Sequence, residues 1–240
     1  MQNVKRKKMI NGQKIIDFHA HILPGADHGS SSIDDTLGQI ALMNNAGVDT
    51  VVATPHFYPN RHTVEYFFEK VSSSVEKIGS IDIPRPRICL GAEVLYCDGI
   101  DNMQDLDRFC IRGTKVLILE LPLDTWDDRL FDTVKTLLSE YTVVLAHIDR
   151  YILYQTEAIY SLLEMGARAQ INAQSLFYRK ERKHLSPLIE AGDICAIGSD
   201  LHKLENKSVR CFAAAPKKLG NAYSDIMQSA DELLKDAVKI

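Results

Sequence analysis

The sequence, 240 residues long, predicts an α/β barrel built as a single domain, and three observations predict it. Short apolar runs alternate with amphipathic, helix-like stretches along the chain. Seven of these runs end at or beside His19, His56, Glu93, Glu120, His147, Asn172 and Asp200, at intervals of 37, 37, 27, 27, 25 and 28 residues. Such intervals suit strand–helix units and are too long for hairpins. The runs are also continuously apolar, as strands of a parallel sheet covered on both faces are. In barrels of this kind the reacting groups come from the C-terminal ends of several strands. Six of the seven run ends carry a His, Asp or Glu.

The elements follow in order. Residues 1–14 read as a polar, flexible tail and 15–240 as the barrel domain. Ile15–Phe18 is a first strand leading to His19-Ala20-His21. Ser32 with Asp35 resembles a capping box, and Ile33, Leu37, Ile40 and Ala41 recur at helical spacing until Gly47. Thr50–Ala53 is a strand closed by Thr54-Pro55-His56, and Thr63–Ile78 is an amphipathic helix. A proline-punctuated loop, Ile81–Pro86, precedes the strand Ile88–Ala92 and then Glu93. Val116–Leu119 leads to Glu120, with Pro122 closing that strand. Helices are predicted over Asp127–Tyr141, Thr156–Met165, Arg182–Ala191 and Asn221–Val238. Strands are predicted at Thr142–Ala146, Ala169–Ile171 and Ile194–Ile197, ending near His147, Asn172 and Asp200.

Composition removes several function classes. A net charge of −4 does not suit a bulk binder of nucleic acid or of anionic membranes. The basic run Lys5-Arg6-Lys7-Lys8 reads as a solvated tail. No run approaches the roughly 20 apolar residues of a membrane span, so no membrane insertion is expected. The five cysteines form no paired framework and no signal peptide is visible, which together predict a cytoplasmic protein. A chain of this size buries roughly 70% of its unfolded surface and needs no staples.

The run ends carry the chemistry. In a strand, residues i and i+2 share a face, so His19 and His21 can grip one ion together, as can Asp200 and His202. A lone strand-end His is ordinarily just a satisfied polar residue. Convergence changes that, because buried carboxylates are costly unless paired or metal-bound. His19, His21, His56, Glu93, Glu120, His147, Asp200 and His202 outnumber the ligands of one ion, which implies two or three ions. Mixed imidazole and carboxylate ligands suit Mn, Fe or Zn, and the oxygen share favours Mn²⁺. Closely spaced ions suit in-line phosphoryl displacement. A cysteine phosphatase would need Cys-x5-Arg; the residues six beyond the cysteines are Leu95, Met103, Val116, Leu201 and Lys217.

Several segments together resemble the PHP (polymerase and histidinol phosphatase) superfamily. They are Asp17-Phe18-His19-Ala20-His21-Ile22-Leu23-Pro24-Gly25, Ala53-Thr54-Pro55-His56, Gly91-Ala92-Glu93, Leu119-Glu120-Leu121-Pro122, Ala146-His147-Ile148-Asp149-Arg150-Tyr151 and Gly198-Ser199-Asp200-Leu201-His202. Within it the chain is most similar to the CpsB/CapC group, manganese-dependent protein-tyrosine phosphatases of bacterial capsule and exopolysaccharide synthesis. The resemblance implies a distorted (β/α)7 TIM-like barrel with a trinuclear site, the eight residues above as metal ligands, and Glu120 shared between ions. It further implies that Arg150 meets the substrate phosphate and that Lys207 stands where some relatives have a substrate-facing arginine. The chain departs from the group at Asp27-His28-Gly29, where Asp-Asp-Gly is usual, so that His28 replaces the third ion's carboxylate ligand.

The implied reaction is hydrolysis of phosphotyrosine by in-line attack of a metal-bound hydroxide, with Arg150 bearing phosphoryl charge and His56 or water assisting the leaving phenolate. The implied partner is a phosphotyrosine protein such as a bacterial tyrosine kinase tail. Two other readings share these residues: a phosphatase of a small metabolite such as histidinol phosphate, and a non-catalytic scaffold that binds a kinase.

Overall fold

The computed structural model describes residues 13–80, 83–124, 126–204 and 206–240. The expected tail at 1–14, with its basic run, therefore lies outside the described residues except for Gln13 and Lys14. Those two are tied down: the Lys14 ammonium meets Asp231 at 2.7 Å and the Gln13 amide donates to Ser224 O at 2.6 Å.

Among the described residues, nine strand segments occupy seven positions. They are β1 (Ile16–Ala20), β2 (Thr50–Ala53), β3 (His56–Phe57), β4 (Arg87–Leu90), β5 (Glu93–Leu95), β6 (Val116–Glu120), β7 (Thr142–Leu145), β8 (Arg168–Asn172) and β9 (Ile194–Gly198). Every ladder between them is parallel, in the orders β1-β2-β4 and β3-β5-β6-β7-β8-β9. The two ladders are one sheet interrupted twice. Pro55 has no N–H to give, so the second position breaks between β2 and β3; the third breaks at Gly91-Ala92. Hydrogen bonds continue across both gaps, from Thr54 N to Ala20 O, Gly91 N to Ala53 O and Glu93 N to Pro55 O, at 3.0, 3.0 and 3.1 Å.

The ring meets itself between β1 and the end of β9. Asp200 N donates to His19 O at 2.9 Å and His21 N to Leu201 O at 3.0 Å, around a single Ala20–Leu201 bridge. The barrel is distorted on its far side, where β4 and β6 do not pair. Arg112 N bonds Leu90 O there, Val238 N bonds Arg112 O, and Ile240 N bonds Ile88 O, so residues 238–240 fill the gap antiparallel to β4.

Eight helices cover the sheet among the described residues: α1 (Ile33–Ala46), α2 (Val64–Gly79), α3 (Asp128–Leu138), α4 (Thr156–Glu164), α5 (Arg179–Ala191), α6 (Asn206–Ala214), α7 (Pro216–Leu219) and α8 (Ala222–Leu233). The first starts and stops as its residues predict. Ser32 Oγ accepts from Asp35 N at 3.1 Å, and Gly47, at φ +79°, closes it. The capping box is only half made, since Asp35 reaches back to Ser31 N at 3.2 Å instead of to Ser32.

Three expectations are corrected. The last helix ends at Leu233, short of Val238, because residues 238–240 are drawn into the sheet. The helices α6 and α7 were not expected, although Val209 and Phe212 on the first, Leu219 on the second and Ala215 between them recur at helical spacing and are all buried. The helix predicted over Arg182–Ala191 begins three residues sooner, at Arg179.

β1, β2 and β9 are buried along their whole length, as strands covered on both sides must be. Phe57, at the top of the second strand position, packs on Phe109 and Phe67 with ring centres 4.2 and 5.2 Å away. Among the described residues no helix is long and apolar enough to cross a membrane.

Candidate metal centre

The strand ends converge at one mouth of the barrel. β1 presents His19 and His21, β3 His56, β5 Glu93, β6 Glu120, the turn after β7 His147, and the turn after β9 Asp200 and His202. Two of these need unusual backbone. His147 sits at φ +31° and Asp200 at φ +52°, in the left-handed region that non-glycine residues avoid. Such strain concentrates at functional sites. Two glycines allow the close approach of β1. A Cβ on Gly198 would lie 2.5 Å from the His19 Cβ, and one on Gly29 would lie 2.4 Å from the His21 Cβ.

Glu93 is the hub. It is fully buried, and its Oε1 lies 2.5 Å from His147 Nε2. Its Oε2 lies 2.9 Å from His56 Nδ1, 3.2 Å from His19 Nε2 and 3.3 Å from His21 Nε2. Asp200 Oδ1 stands 3.4 Å from His21 Nε2 and 3.3 Å from His202 Nδ1. Two imidazole pairs face each other nitrogen to nitrogen, His19 with His21 at 3.1 Å and His56 with His202 at 3.2 Å.

Residues outside the expected set hold these side chains. Asp27 accepts from His21 Nδ1 at 2.7 Å and also from the backbone N–H groups of Gly29 and His56, at 2.8 and 3.0 Å. A donating Nδ1 leaves the His21 Nε2 lone pair facing the cluster. Gln170 Oε1 accepts from His147 N at 2.6 Å. Asp149 Oδ1 accepts from Asn172 N at 2.7 Å, and Asn172 Nδ2 donates to Asp200 Oδ2 at 2.8 Å. Asp17 Oδ1 accepts from Ser199 N at 2.8 Å, beside the β1–β9 junction.

The electrostatics show a centre short of positive charge. Burial alone would raise the Glu93 carboxyl, but His19 and His147 hold it well below the ordinary carboxylate range. Burial opposes protonation of His19 and His21, yet Glu93 acting on the first and Asp200 and Asp27 on the second raise both rings above the usual imidazole value. His56 and His147 are lowered by burial, and His202 is pushed down to about 4 by burial and the neighbouring His21. Glu120 is pushed up to about 7, by burial and then by the charge of Glu93.

The donor set fits divalent cations. Four groupings have ligand atoms within 4.8 Å of one another: His21 with His56 and His202, His19 with His21 and Asp200, His19 with Glu93 and His147, and His56 with Glu93 and Glu120. Glu93 Oε2, Asp200 Oδ1 and His56 Nδ1 are buried without a hydrogen-bond partner, although each lies close to the others' neighbours. Unpaired buried acceptors turned towards one another are what a cation would satisfy.

Eight of the expected residues meet here, and three stand apart from the groupings. His28 is exposed and belongs to none of the four, but its ring stacks on His56 and His202 with centres 4.6 and 4.8 Å away. Arg150 bonds Glu120 Oε1 at 3.0 Å and Asp200 Oδ2 at 2.9 Å. Lys207, on α6, donates to the Tyr178 hydroxyl at 2.9 Å. From the sequence, Asp17, Asp149 and Gln170 carry no role; Asn172 is expected only as a strand end, and Asp27 only beside His28. Asp17, Asp27 and Asp149 each lie within two residues of a predicted ligand, whereas Gln170 and Asn172 lie more than 20 from any, so only the first three carried a local signal.

The profile of the family described as "Capsular polysaccharide synthesis, CpsB/CapC" matches residues 15–235. The chain belongs to the CpsB/CapC family. Its similar relatives within that family include the tyrosine-protein phosphatase YwqE of Bacillus subtilis, 28% identical over 236 residues covering 92% of this chain and 91% of that protein. The tyrosine-protein phosphatase CpsB of Streptococcus agalactiae is 26% identical over 204 residues, 80% of this chain and 84% of that one. The CpsB/CapC fold is seen in a crystal structure from work on YwqE of B. subtilis and CpsB of Streptococcus pneumoniae, described as unique metal-dependent tyrosine phosphatases. It superposes with a TM-score of 0.77 at 24% identity, over 94% of this chain and 96% of that one. A histidinol phosphate phosphatase from Lactococcus lactis, in complex with zinc, L-histidinol and phosphate, shares the fold more distantly. Its TM-score is 0.55 at 13% identity, over 86% of this chain and 94% of that one.

Proposed function

We propose that this chain is a metal-dependent protein-tyrosine phosphatase that acts on a phosphotyrosine protein of capsule or exopolysaccharide synthesis. One observation carries the reading: imidazole and carboxylate groups of a CpsB/CapC chain converge, buried and mutually unsatisfied, at the mouth of the barrel. His19, His21, His56, Glu93, Glu120, His147, Asp200 and His202 would hold two or three ions, Mn²⁺ by the oxygen content of the set, with His28 at the edge. Bound cations supply Lewis acidity, acidifying water towards neutral pH and neutralising phosphoryl charge.

The chain's own groups do the rest. His19, Glu93 and His147 are wholly buried, whereas Arg150, Glu120, Asp200 and His202 remain partly open. A phosphate must therefore arrive over that second edge, and phosphotyrosine carries its phosphate further from the backbone than phosphoserine does. Arg150 spends two of its five N–H donors on carboxylates and keeps three for phosphoryl oxygens. Water adds to phosphorus as the P–O(tyrosine) bond breaks, giving phosphate and a phenol. A phenolate of ordinary pKa about 10 needs little acid assistance, and His56 or water supplies its proton. Lys207 would contribute charge near the rim. The partner is a tyrosine-phosphorylated kinase tail, met in the cytoplasm.

Phosphate release from a phosphotyrosine peptide and from histidinol phosphate separates the readings. The peptide should be hydrolysed, chelator should abolish turnover, and Mn²⁺ should restore it. Full activity after exhaustive chelation, or a preference for histidinol phosphate, would sink the proposal.

A further inference from the structure

We infer that Arg150 is a positioning residue for the metal ligands Glu120 and Asp200, in addition to any contact it makes with phosphate. The inference rests on the reading of the site as a cation centre. It comes from how the four carboxylate oxygens are shared out. The outer pair is taken by the two arms of one guanidinium, Glu120 Oε1 at 3.0 Å and Asp200 Oδ2 at 2.9 Å. Asn172 Nδ2 adds a second bond to Asp200 Oδ2 at 2.8 Å. The inner pair faces the imidazoles, which Glu120 Oε1 also approaches, at 3.7 Å from His147 Nε2. Glu120 Oε2 lies 3.8 Å from His56 Nδ1, and Asp200 Oδ1, buried and unpartnered, lies 3.4 Å from His21 Nε2.

A planar fork fixes both carboxylates at once, in rotation as well as position. Without it Glu120 would be free to turn, and Asp200 would be held through Oδ2 by Asn172 alone. The fork is itself held. Arg150 ends the tight turn that begins at His147, whose left-handed backbone starts it, and Arg150 N bonds His147 O at 3.0 Å. Between them Asp149 is anchored on Asn172 N at 2.7 Å. One turn therefore delivers a ligand, His147, and the clamp on two others.

The opposite view makes Arg150 a cation in competition with the metal. It predicts the opposite sign, since removing or loosening the guanidinium would then tighten metal binding. Arg150→Lys distinguishes the two because it keeps the charge and loses the fork. The measurement is Mn²⁺ binding by the full, metal-stripped chain against a fluorescent chelator, without substrate. Positioning predicts an affinity lower by about 10- to 100-fold, as for other groups that orient metal ligands, with the thermal midpoint of the stripped protein unchanged. It also predicts non-additivity: in a Glu120→Gln background the same substitution should cost clearly less. Affinity within about twofold of the unsubstituted chain, or tighter, overturns the inference, as does full additivity. Should Arg150→Lys fail to fold, Arg150→Gln takes its place: weaker Mn²⁺ binding supports positioning, and unchanged or tighter binding overturns it. Failure of the unsubstituted chain to bind Mn²⁺ at all would overturn the cation reading itself, and is seen before any variant is made.

Discussion

Glu93 concentrates the site's chemistry in one side chain. Its two oxygens lie within 3.3 Å of nitrogens from His19, His21, His56 and His147, so its charge holds four rings in register. Glu93→Gln keeps the size and replaces one acceptor with a donor aimed at imidazole nitrogens. Its expected effect is a loss of at least about 100-fold in Mn²⁺ affinity, exceeding that of an outer-shell change, with phosphatase activity lost in parallel. Isothermal titration and a phosphate assay check this, and wild-type affinity would show that Glu93 is no ligand. The recognised residues were legible because each ends an apolar run, where a charged group has no reason to be unless something binds it. The supporting roles of Asp149, Gln170 and Asn172 were not. Their roles arise only when β7, β8 and β9 lie side by side, bringing Asn172 to an Asp149 carboxylate 23 positions away and to Asp200 28 away.

Elements show the same division. Caps were readable because they are local: Ser32 and Gly47 bound α1 as their chemistry requires. The breaks that split the second and third strand positions were half readable. Pro55 announced the first, whereas nothing local at Gly91-Ala92 distinguishes a strand interruption from a strand end. The shortened α8 had no local signal, since its end is set by the pairing of residues 238–240 with β4. Close packing of β9 on β1 gives a prediction at this scale. Gly198→Ala would drive a methyl to within 2.5 Å of the His19 Cβ and 2.9 Å of Gln170 Nε2. Neither neighbour can retreat far, so the substitution should destabilise by about 1–3 kcal/mol and weaken metal binding through His19. Urea unfolding of the stripped protein reads the first effect, and an unchanged midpoint would show that β1 and β9 separate more easily than the geometry implies.

At the scale of the whole molecule, the cluster ties every strand position except the one ending at Asn172 directly to one centre, and Asn172 joins through Asp200. Cations bound there favour the folded barrel alone, so they should stabilise it by mass action. At free Mn²⁺ about 100 times its dissociation constant the gain is about 2.7 kcal/mol, or on the order of 5–10 °C in unfolding temperature for a chain of this size. Calorimetry with and without chelator checks this; coincident transitions would count against a site that spans the barrel. The interval pattern that foretold seven strand positions could not foretell this coupling, which depends on the ring meeting itself.

That meeting point has a consequence for synthesis. His19 lies on the first strand and His21 just beyond it, while Asp200 and His202 follow the last, bonded across the β1–β9 junction. At 5–20 residues per second, roughly 10–40 s separate translation of the two pairs. Throughout that interval the nascent chain has the two-histidine pair without its late carboxylate, an all-imidazole half-site that suits copper or zinc better than manganese. The full candidate ligand set therefore exists only once residue 202 has been made and the end of β9 has met β1.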